Sequence, residues 1–85
     1  MASCRLGFKR SAVKQLEGLS SKNRRRITTR IGALADDPRP QGCEKLSGEE
    51  KYRIRQGDHR IVYGIDDRAA LVTIVKIGHR RDVYR

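Results

Sequence analysis

The apolar run from Ala70 to Ile77 is the feature of this sequence that most restricts what the chain can fold into. It is interrupted by one charged residue, Lys76, and it is far shorter than the roughly 18 apolar residues of a membrane-spanning helix. Runs of this length that are rich in valine and isoleucine are typical of buried β-strands. We therefore expect a strand at the centre of a sheet, covered on both faces.

Two further strands are predicted just before this run. Residues 51–56 alternate between apolar and polar side chains, and residues 59–65 form the next strand. Gly57-Asp58 predicts a tight turn between them, and residues 66–68 predict a second turn. Together with the apolar run, these strands are expected to form an antiparallel meander.

The N-terminal half predicts one strand and two helices. Residues 4–8 alternate, which suits a short strand with one side buried, the side that carries Cys4, Leu6 and Phe8. Helical spacing of apolar residues predicts a short helix over residues 11–19, with Ser11 as a candidate N-cap.

A second, longer helix is predicted after a break at Ser20-Ser21, which offers its N-cap, and Pro38 must end it. Its apolar stripe consists of Ile27, Ile31 and Leu34. Residues 37–50 are predicted to be loop, and the glutamates at 44, 49 and 50 receive no role. The element order is βααβββ, so the predicted fold is α+β: an antiparallel helical hairpin packed on a small, mainly antiparallel sheet. With 85 residues and charge spread over both halves, residues 1–85 are predicted to form a single domain.

The charge of the chain indicates its class of partner. A formal net charge of +10 and a pI of about 10.5 exceed what solubility requires and favour a polyanionic partner, nucleic acid or an acidic protein. No apolar leader is present at the start, and a membrane role is not expected. Cys4 and Cys43 form no C-x-x-C pair, so we expect reduced thiols in a cytoplasmic protein, with neither a metal site nor a cofactor.

Basic residues recur at helical spacing on the second predicted helix. Lys22, Arg26 and Arg30 lie at positions i, i+4 and i+8, so they form a stripe. The stripe is either a solvated face or a patch that binds phosphates or an acidic partner, and the sequence leaves both interpretations open.

Three arginines are predicted to share one face of the sheet. Strand alternation places Arg53 and Arg55 about 7 Å apart on one face, opposite the buried Tyr52 and Ile54. A two-residue turn brings Arg60 close to Arg55 across the hairpin. Like charges on neighbouring strands destabilise a sheet unless an anion joins them, so the cluster indicates an anion site. The alternative is an exposed face with scattered arginines.

Within six positions of Gly78, the C-terminal string carries an imidazole, two guanidiniums and a phenol. Guanidinium binds phosphate oxygens, and imidazole and phenol can transfer a proton. His79, Arg80 and Tyr84 are therefore candidates for holding an RNA phosphate and moving a proton at it.

Several motifs of the C-terminal half belong together: Lys45-Leu46-x-Gly48, Tyr52-Arg53-Ile54-Arg55, Gly57-Asp58-His59-Arg60-Ile61-Val62-Tyr63, Ile65-Asp66-Asp67, and Gly78-His79-Arg80-Arg81-Asp82-Val83-Tyr84. In these motifs the chain resembles the RelE branch of the RelE/ParE toxin superfamily. The N-terminal half agrees with that family in element order alone, and the terminal string is the specific part of the resemblance.

The resemblance implies a function and its partners. RelE-like toxins of type II toxin–antitoxin systems are ribosome-dependent endoribonucleases that cleave messenger RNA in the A site without a metal. The RNA's own 2′-hydroxyl attacks the adjacent phosphate. A co-encoded, mostly acidic antitoxin holds the toxin inactive, and the complex binds operator DNA through the antitoxin. The family's functional positions correspond here to Arg53, Arg55, Arg60, Arg80 and Tyr84.

Where this chain has Arg53 and Arg55, some relatives have lysines, which puts in doubt any role that needs a neutral amine as base. Arg60 and Arg80 suit a phosphate clamp, since guanidinium binds phosphate in a bidentate fork. Tyr84 is either the proton donor to the leaving oxygen, a surface on which a base stacks, or an apolar plug. The remaining candidates are His79, as acid, base or structural donor, and His59, as a structural residue.

Two other functions remain open at this point. A ParE-like toxin on the same fold would poison DNA gyrase by binding it, and the terminal histidine, arginines and tyrosine argue against that. A non-catalytic module that binds RNA or the ribosome would require the positive charge alone.

Overall fold

The computed structural model describes residues 3–46 and 50–79, which form two helices and a five-stranded sheet. The elements are β1 (Arg5–Phe8), α1 (Arg10–Glu17), α2 (Ser21–Asp36), β2 (Glu44–Lys45), β3 (Lys51–Gln56), β4 (His59–Asp66) and β5 (Leu71–His79). The strand order is β1-β5-β4-β3-β2, with β1 parallel to β5 and the other neighbours antiparallel. The predicted α+β fold and its antiparallel meander are confirmed.

The two helices begin in different ways. Lys9, rather than the predicted Ser11, is the N-cap of α1 and makes no side-chain cap; the Ser11 hydroxyl instead donates to the Val75 carbonyl at 3.4 Å. The N-cap of α2 is Ser20, as predicted, because its Oγ accepts a hydrogen bond from the backbone amide of Asn23. α2 ends at Asp36, two residues before Pro38, as expected from the missing amide of proline.

Three expectations about the strands are corrected. The segment 37–50, predicted to be loop, contains the short strand β2, which pairs with β3 at the edge of the sheet. The apolar run becomes β5, an interior strand, but β4 occupies the centre. The second face of β5 is half-buried rather than covered, because both helices pack on the same side of the sheet.

β1 departs from expectation in its burial. Cys4 packs against the core, but Leu6 is 37% and Phe8 43% exposed. β1 is the last strand of the sheet, and one of its edges has no neighbour in the described part of the chain. Alternation predicts which side of a strand faces inward, whereas burial also depends on what covers that part of the sheet.

The core lies between the two helices and one face of the sheet. The predicted stripe Ile27, Ile31 and Leu34 is buried, at 2% exposure or less. The sheet contributes residues from its three interior strands, β3, β4 and β5: Tyr52, Ile54, Ile61, Tyr63, Ile65, Val72, Ile74 and Ile77. Burial of this much apolar surface, at about 25 cal/mol per Å², is the main stabilising term for a domain of this size. We call the covered side the helix face and the other side the open face.

A β-bulge near the middle of β5 reverses the alternation of that strand. Before it, Tyr63 pairs with Ile74; after it, Val62 pairs with Lys76, so β5 has one extra residue, Val75. Ile77 therefore returns to the helix face, where it is 1% exposed, and Lys76 is turned to the open face. Without the bulge, strict alternation from Ile74 would aim Lys76 into the core.

The loop between α2 and β2 is held against the sheet by one arginine. Arg39 donates from Nη1 and Nη2 to the two carboxylate oxygens of Asp67 at 3.1 and 3.0 Å, and from Nε to the Tyr52 hydroxyl at 3.2 Å. Its hydrogen bonds to Asp67 lower the pKa of that carboxyl from its usual value. The Tyr63 hydroxyl donates to the Pro38 carbonyl at 2.7 Å, and burial raises the pKa of this phenol. These contacts determine where β2 begins.

Replacing Ile74 by alanine is expected to lower the free energy of unfolding by about 2–5 kcal/mol, because it leaves a cavity in the centre of the core. Val13→Ala on α1 is the matched control: Val13 is 39% exposed, so a change of at most about 0.5 kcal/mol is expected. Chemical denaturation of both variants measures the difference. Similar losses in the two variants would contradict the described core.

Candidate functional site

The open face of the sheet carries a group of cations that we call the basic face, defined as Lys51, Arg53, Arg55, Arg60 and Lys76. The register determines this grouping, because residues directly opposite each other in an antiparallel pair project to the same side. Arg55 lies opposite Arg60, and Arg53 lies opposite Val62, which in turn lies opposite Lys76. The predicted placement of Arg53, Arg55 and Arg60 on one face is thus observed.

Arg60 is the most buried member of the basic face. It is 7% exposed and, among the residues that the structure describes, it is the one charged residue that is buried. The Arg53 side chain is also largely covered, at 16% exposure. Removing a guanidinium from water is costly unless a counter-charge or hydrogen bonds replace the water, so a site that concentrates guanidiniums here is suited to an anion.

The pairing of Arg55 with Arg60 adds to this electrostatic argument. Like charges directly opposite each other on adjacent strands oppose sheet formation, and an anion bound between them removes that repulsion. Guanidinium groups bind phosphate oxygens through two parallel hydrogen bonds. The geometry is therefore suited to a phosphodiester that lies across β3 and β4.

One carboxylate borders the basic face. Glu44 on β2 lies opposite Arg53 in the register, and its Oε2 accepts a hydrogen bond from Arg53 Nη2 at 3.1 Å. Its side chain is 60% exposed, so the carboxylate is in contact with solvent. The other ion pair on this part of the chain, Lys45 with Glu50, is longer at 3.5 Å and more exposed.

The candidate histidine of the C-terminal string lies away from the arginines. Gly78 is the residue directly opposite Arg60, so that position of β5 carries no side chain. His79 is opposite His59, and the two rings meet edge to face with their centroids 6.0 Å apart. Alternation therefore turns His79 and Arg60 to opposite sides of the sheet. Arg80 and Tyr84 lie outside the described residues.

The helical stripe forms a second, separate basic surface. Lys22 and Arg26 are exposed on α2, and Arg30 is half-buried. Arg26 contributes to a cavity of about 150 Å³ beside the β3–β4 turn, and together with Arg30 it lines a groove of about 410 Å³ along the helix. Because α2 covers the helix face, this stripe and the basic face lie on different layers of the molecule.

Sequence reasoning did not identify Lys51 and Lys76 of the basic face, nor Glu44 beside it. The signal for Lys76 was present, since a lone charged residue inside an apolar strand must reach solvent or a partner, but the bulge that turns it outward is not readable from periodicity. Glu44 had no such signal, because a two-residue strand is too short to show alternation.

Residues 3–46 and 50–79 contain no group of three or more histidine, cysteine, aspartate or glutamate side chains that could hold a metal ion. Neither helix described here is long and apolar enough to cross a membrane.

Comparison with known proteins identifies the family. Residues 6–84 match the model of the ParE toxin of type II toxin–antitoxin systems. The chain belongs to this toxin family, within the RelE/ParE superfamily. Over 34 residues, 40% of this chain and 39% of the relative, the toxin is 41% identical to toxin RelG of Mycobacterium tuberculosis. That match therefore spans about two fifths of the relative's length.

Solved structures of RelE toxins have the same fold. The toxin resembles a chain of the RelBE2 toxin–antitoxin complex of Mycobacterium tuberculosis, with a TM-score of 0.82 and 25% identity over 94% of each chain. It also resembles the archaeal RelE–RelB complex of Pyrococcus horikoshii, with a TM-score of 0.82 and 27% identity over 92% of this chain and 96% of that one. For the isolated RelE toxin of E. coli the TM-score is 0.81, with 26% identity over 96% of this chain and 92% of that one.

If Arg55 and Arg60 repel each other, Arg55→Gln is expected to raise the free energy of unfolding by up to about 1 kcal/mol at low salt, and the gain should shrink as salt screens the charges. The same variant should bind RNA more weakly. The slope of the logarithm of the binding constant against the logarithm of the salt concentration should fall by about one, the contribution of one phosphate contact. Urea denaturation and RNA titration at several salt concentrations measure both effects. Arg68→Gln, in the exposed β4–β5 turn, is the matched control, and equal changes in the two variants would contradict the site.

Proposed function

We propose that this toxin is a ribosome-dependent endoribonuclease that cleaves messenger RNA in the A site and so inhibits translation. The observation that carries the proposal is the cluster of Arg53, Arg55 and Arg60 on one face of the sheet, with Arg60 buried. The likeness to RelE toxins over most of the chain supports the same function. The cytoplasm, where ribosomes translate, is the compartment in which we expect the toxin to act.

The proposed chemistry is attack by the 2′-hydroxyl of the RNA on the adjacent phosphate. Arg60, with Arg80, would clamp the phosphate and stabilise the charge that develops on it. Arg53 and Arg55 would hold the flanking phosphates. Tyr84 would donate a proton to the leaving 5′-oxygen. In this scheme the guanidiniums supply the positive charge, so the reaction requires no metal ion.

His79 has a less direct claim to the chemistry than its place in the sequence predicts. It lies opposite His59, on the other side of the sheet from the Arg60 guanidinium. We therefore propose that Tyr84, rather than His79, is the proton donor for the phosphate held by Arg60. The stripe of Lys22, Arg26 and Arg30 on α2 is proposed to contact RNA away from the cleavage point, on the ribosome.

The proposed inhibitor is an acidic antitoxin of the RelB type. RelE toxins have been solved in complex with RelB from bacteria and archaea. The net charge of +10 favours an acidic partner that covers the basic face. We further propose that the complex of the two proteins binds operator DNA through the antitoxin.

A second candidate is a ParE-like toxin that binds DNA gyrase and is not a nuclease. The match of residues 6–84 to the ParE toxin model favours it. The concentration of arginines on the basic face favours RNA cleavage instead, since binding to a protein does not require three guanidiniums clustered around one buried position. A module that binds RNA or the ribosome without cleaving is the remaining alternative.

The toxin is expected to cleave messenger RNA when ribosomes are present and to leave naked RNA of the same sequence uncut at matched concentration. The basic face is open on one side, so the ribosome should supply part of the substrate positioning. Mapping of messenger 5′ ends after incubation with programmed ribosomes measures cleavage. A DNA supercoiling assay with gyrase, run on the same toxin, measures gyrase inhibition. Gyrase inhibition without cleavage would establish the ParE-like function, whereas binding without either activity would indicate a non-catalytic module.

Arg60→Lys is expected to lower the single-turnover cleavage rate by roughly 10²–10³, the range for losing one preorganised charge stabiliser. Lysine keeps the charge but cannot form the bidentate fork that guanidinium offers to phosphate. Arg68→Lys, in the exposed β4–β5 turn, is the control and should cleave at the wild-type rate. Thermal unfolding of both variants separates catalysis from stability, and a wild-type rate for Arg60→Lys would remove the clamp role.

A further inference from the structure

The cations of the basic face cannot take a proton from the 2′-hydroxyl at neutral pH. The reaction proposed above needs such an acceptor, because the hydroxyl is a weak nucleophile until its proton is removed. Guanidinium groups bind phosphate but do not act as bases. Lys51 and Lys76 contribute two further cations to the same face. The five residues of the basic face can bind phosphate and stabilise charge, but they are not bases.

The two histidines are excluded by the register. His59 and His79 pair with each other on the side of the sheet opposite Arg60, so a phosphate held by that guanidinium lies across the sheet from both imidazoles. Among the described residues, Glu44 is the carboxylate that contacts the basic face, through Arg53.

We propose that Glu44 is the general base of this toxin, the group that removes the proton from the attacking 2′-hydroxyl. This inference rests on the proposed function and names the base for it. Arg53 Nη2 binds Oε2 of Glu44 at 3.1 Å, and the described residues place no donor on Oε1. Arg53 thereby orients the carboxylate, and Oε1 is the oxygen assigned to the hydroxyl proton. At 60% exposure, the side chain is accessible to RNA.

The distances across the sheet are suitable for this role. Glu44 is two strands away from Arg60 and two residues offset along the strands, a separation of about 12 Å between backbones. The extended Arg60 side chain, the phosphate it holds and the neighbouring ribose cover that distance. Glu44 and Arg60 would then act at opposite ends of the reacting unit, the first on the 2′-hydroxyl and the second on the phosphate oxygens.

β2 is held firmly enough to place a base. The Leu46 amide donates to the Lys51 carbonyl at 2.8 Å, and the Cys43 amide donates to the Pro40 carbonyl at 3.1 Å, so backbone bonds flank Glu44 on both sides. The hydrogen bonds of Arg39 to Tyr52 and Asp67 hold the preceding loop. A general base must lie within hydrogen-bond reach of the proton that it removes, and these hydrogen bonds hold the backbone of Glu44 in a fixed position.

The step balances in atoms and charge. The 2′-hydroxyl proton passes to Glu44, which becomes a neutral carboxylic acid, while the 2′-oxygen forms a bond to phosphorus. The bond from phosphorus to the 5′-oxygen breaks, and that oxygen takes a proton from the acid, for which Tyr84 is proposed and which is left as a phenolate. The products are a 2′,3′-cyclic phosphate and a 5′-hydroxyl. The negative charge that builds up on the phosphate is matched by the guanidiniums of the basic face.

The test is single-turnover cleavage of messenger on programmed ribosomes, at saturating toxin, by wild type, Glu44→Gln, Glu44→Asp and Glu50→Gln. Glu44→Gln should cleave roughly 10²–10⁴-fold more slowly, the range for loss of general-base catalysis. Its binding to RNA should be unchanged or tighter, because a negative charge has been removed from the basic face. Glu50→Gln is the matched control: it makes the same chemical change at the exposed partner of Lys45 and should cleave at the wild-type rate.

The pH profile separates a base from a residue that merely orients Arg53. Without the base, hydroxide must remove the proton, so the rate of Glu44→Gln should rise with pH more steeply than the wild-type rate between about pH 6 and 8. Glu44→Asp retains a carboxylate on a shorter side chain and should recover part of the lost rate.

Three results would overturn the proposal. Wild-type rates in Glu44→Gln would show that the carboxylate takes no part in cleavage. A slow Glu44→Gln whose rate follows the wild-type pH profile would mean that Glu44 only positions Arg53. If wild type itself cleaves no messenger on ribosomes, the proposed function fails, and the role of Glu44 fails with it. The first two results leave the proposed function intact, so the two failures are distinguishable.

Discussion

Burial of one face of the sheet beneath α2 is the constraint on which the rest of this structure depends. Ile27, Ile31 and Leu34 form an apolar stripe that covers the helix face, and the chain has no second helix layer among its described residues to cover the other side. A small domain that buries one face can leave the opposite face polar, and here that face carries the arginines. The separation of a stabilising face from a charged face is what allows so basic a chain to fold.

The bulge in β5 determines the composition of both faces. One extra residue, Val75, allows Ile77 to return to the core and Lys76 to reach the open face. It also sets the register at the end of the strand, where glycine rather than a side chain stands opposite Arg60 and the two histidines meet on the helix face. A single irregularity thus adds a cation to the basic face and separates the imidazoles from it.

The edge of the sheet has a different role from its centre. The central strand β4 supplies the buried Arg60, whereas the edge strand β2 supplies Glu44, whose position depends on the loop that Arg39 holds against Tyr52 and Asp67. In the mechanism proposed above, charge clamping and proton removal therefore belong to separate elements. This division suits a face that is rich in arginine, since arginine binds phosphate well but does not release its proton.

The order of the elements other than β2, the helical core stripe and the face on which Arg53 and Arg55 lie were predictable from the sequence, because each follows from local periodicity and from turn residues such as Gly57. The exposure of Leu6 and Phe8, the outward turn of Lys76, the opposition of His79 to His59 and the contact of Glu44 with Arg53 were decided by the tertiary structure. Each of these depends on which strand lies at an edge, or on the register between strands far apart in the chain. Periodicity describes one strand at a time, whereas a site built across four strands depends on how those strands are aligned.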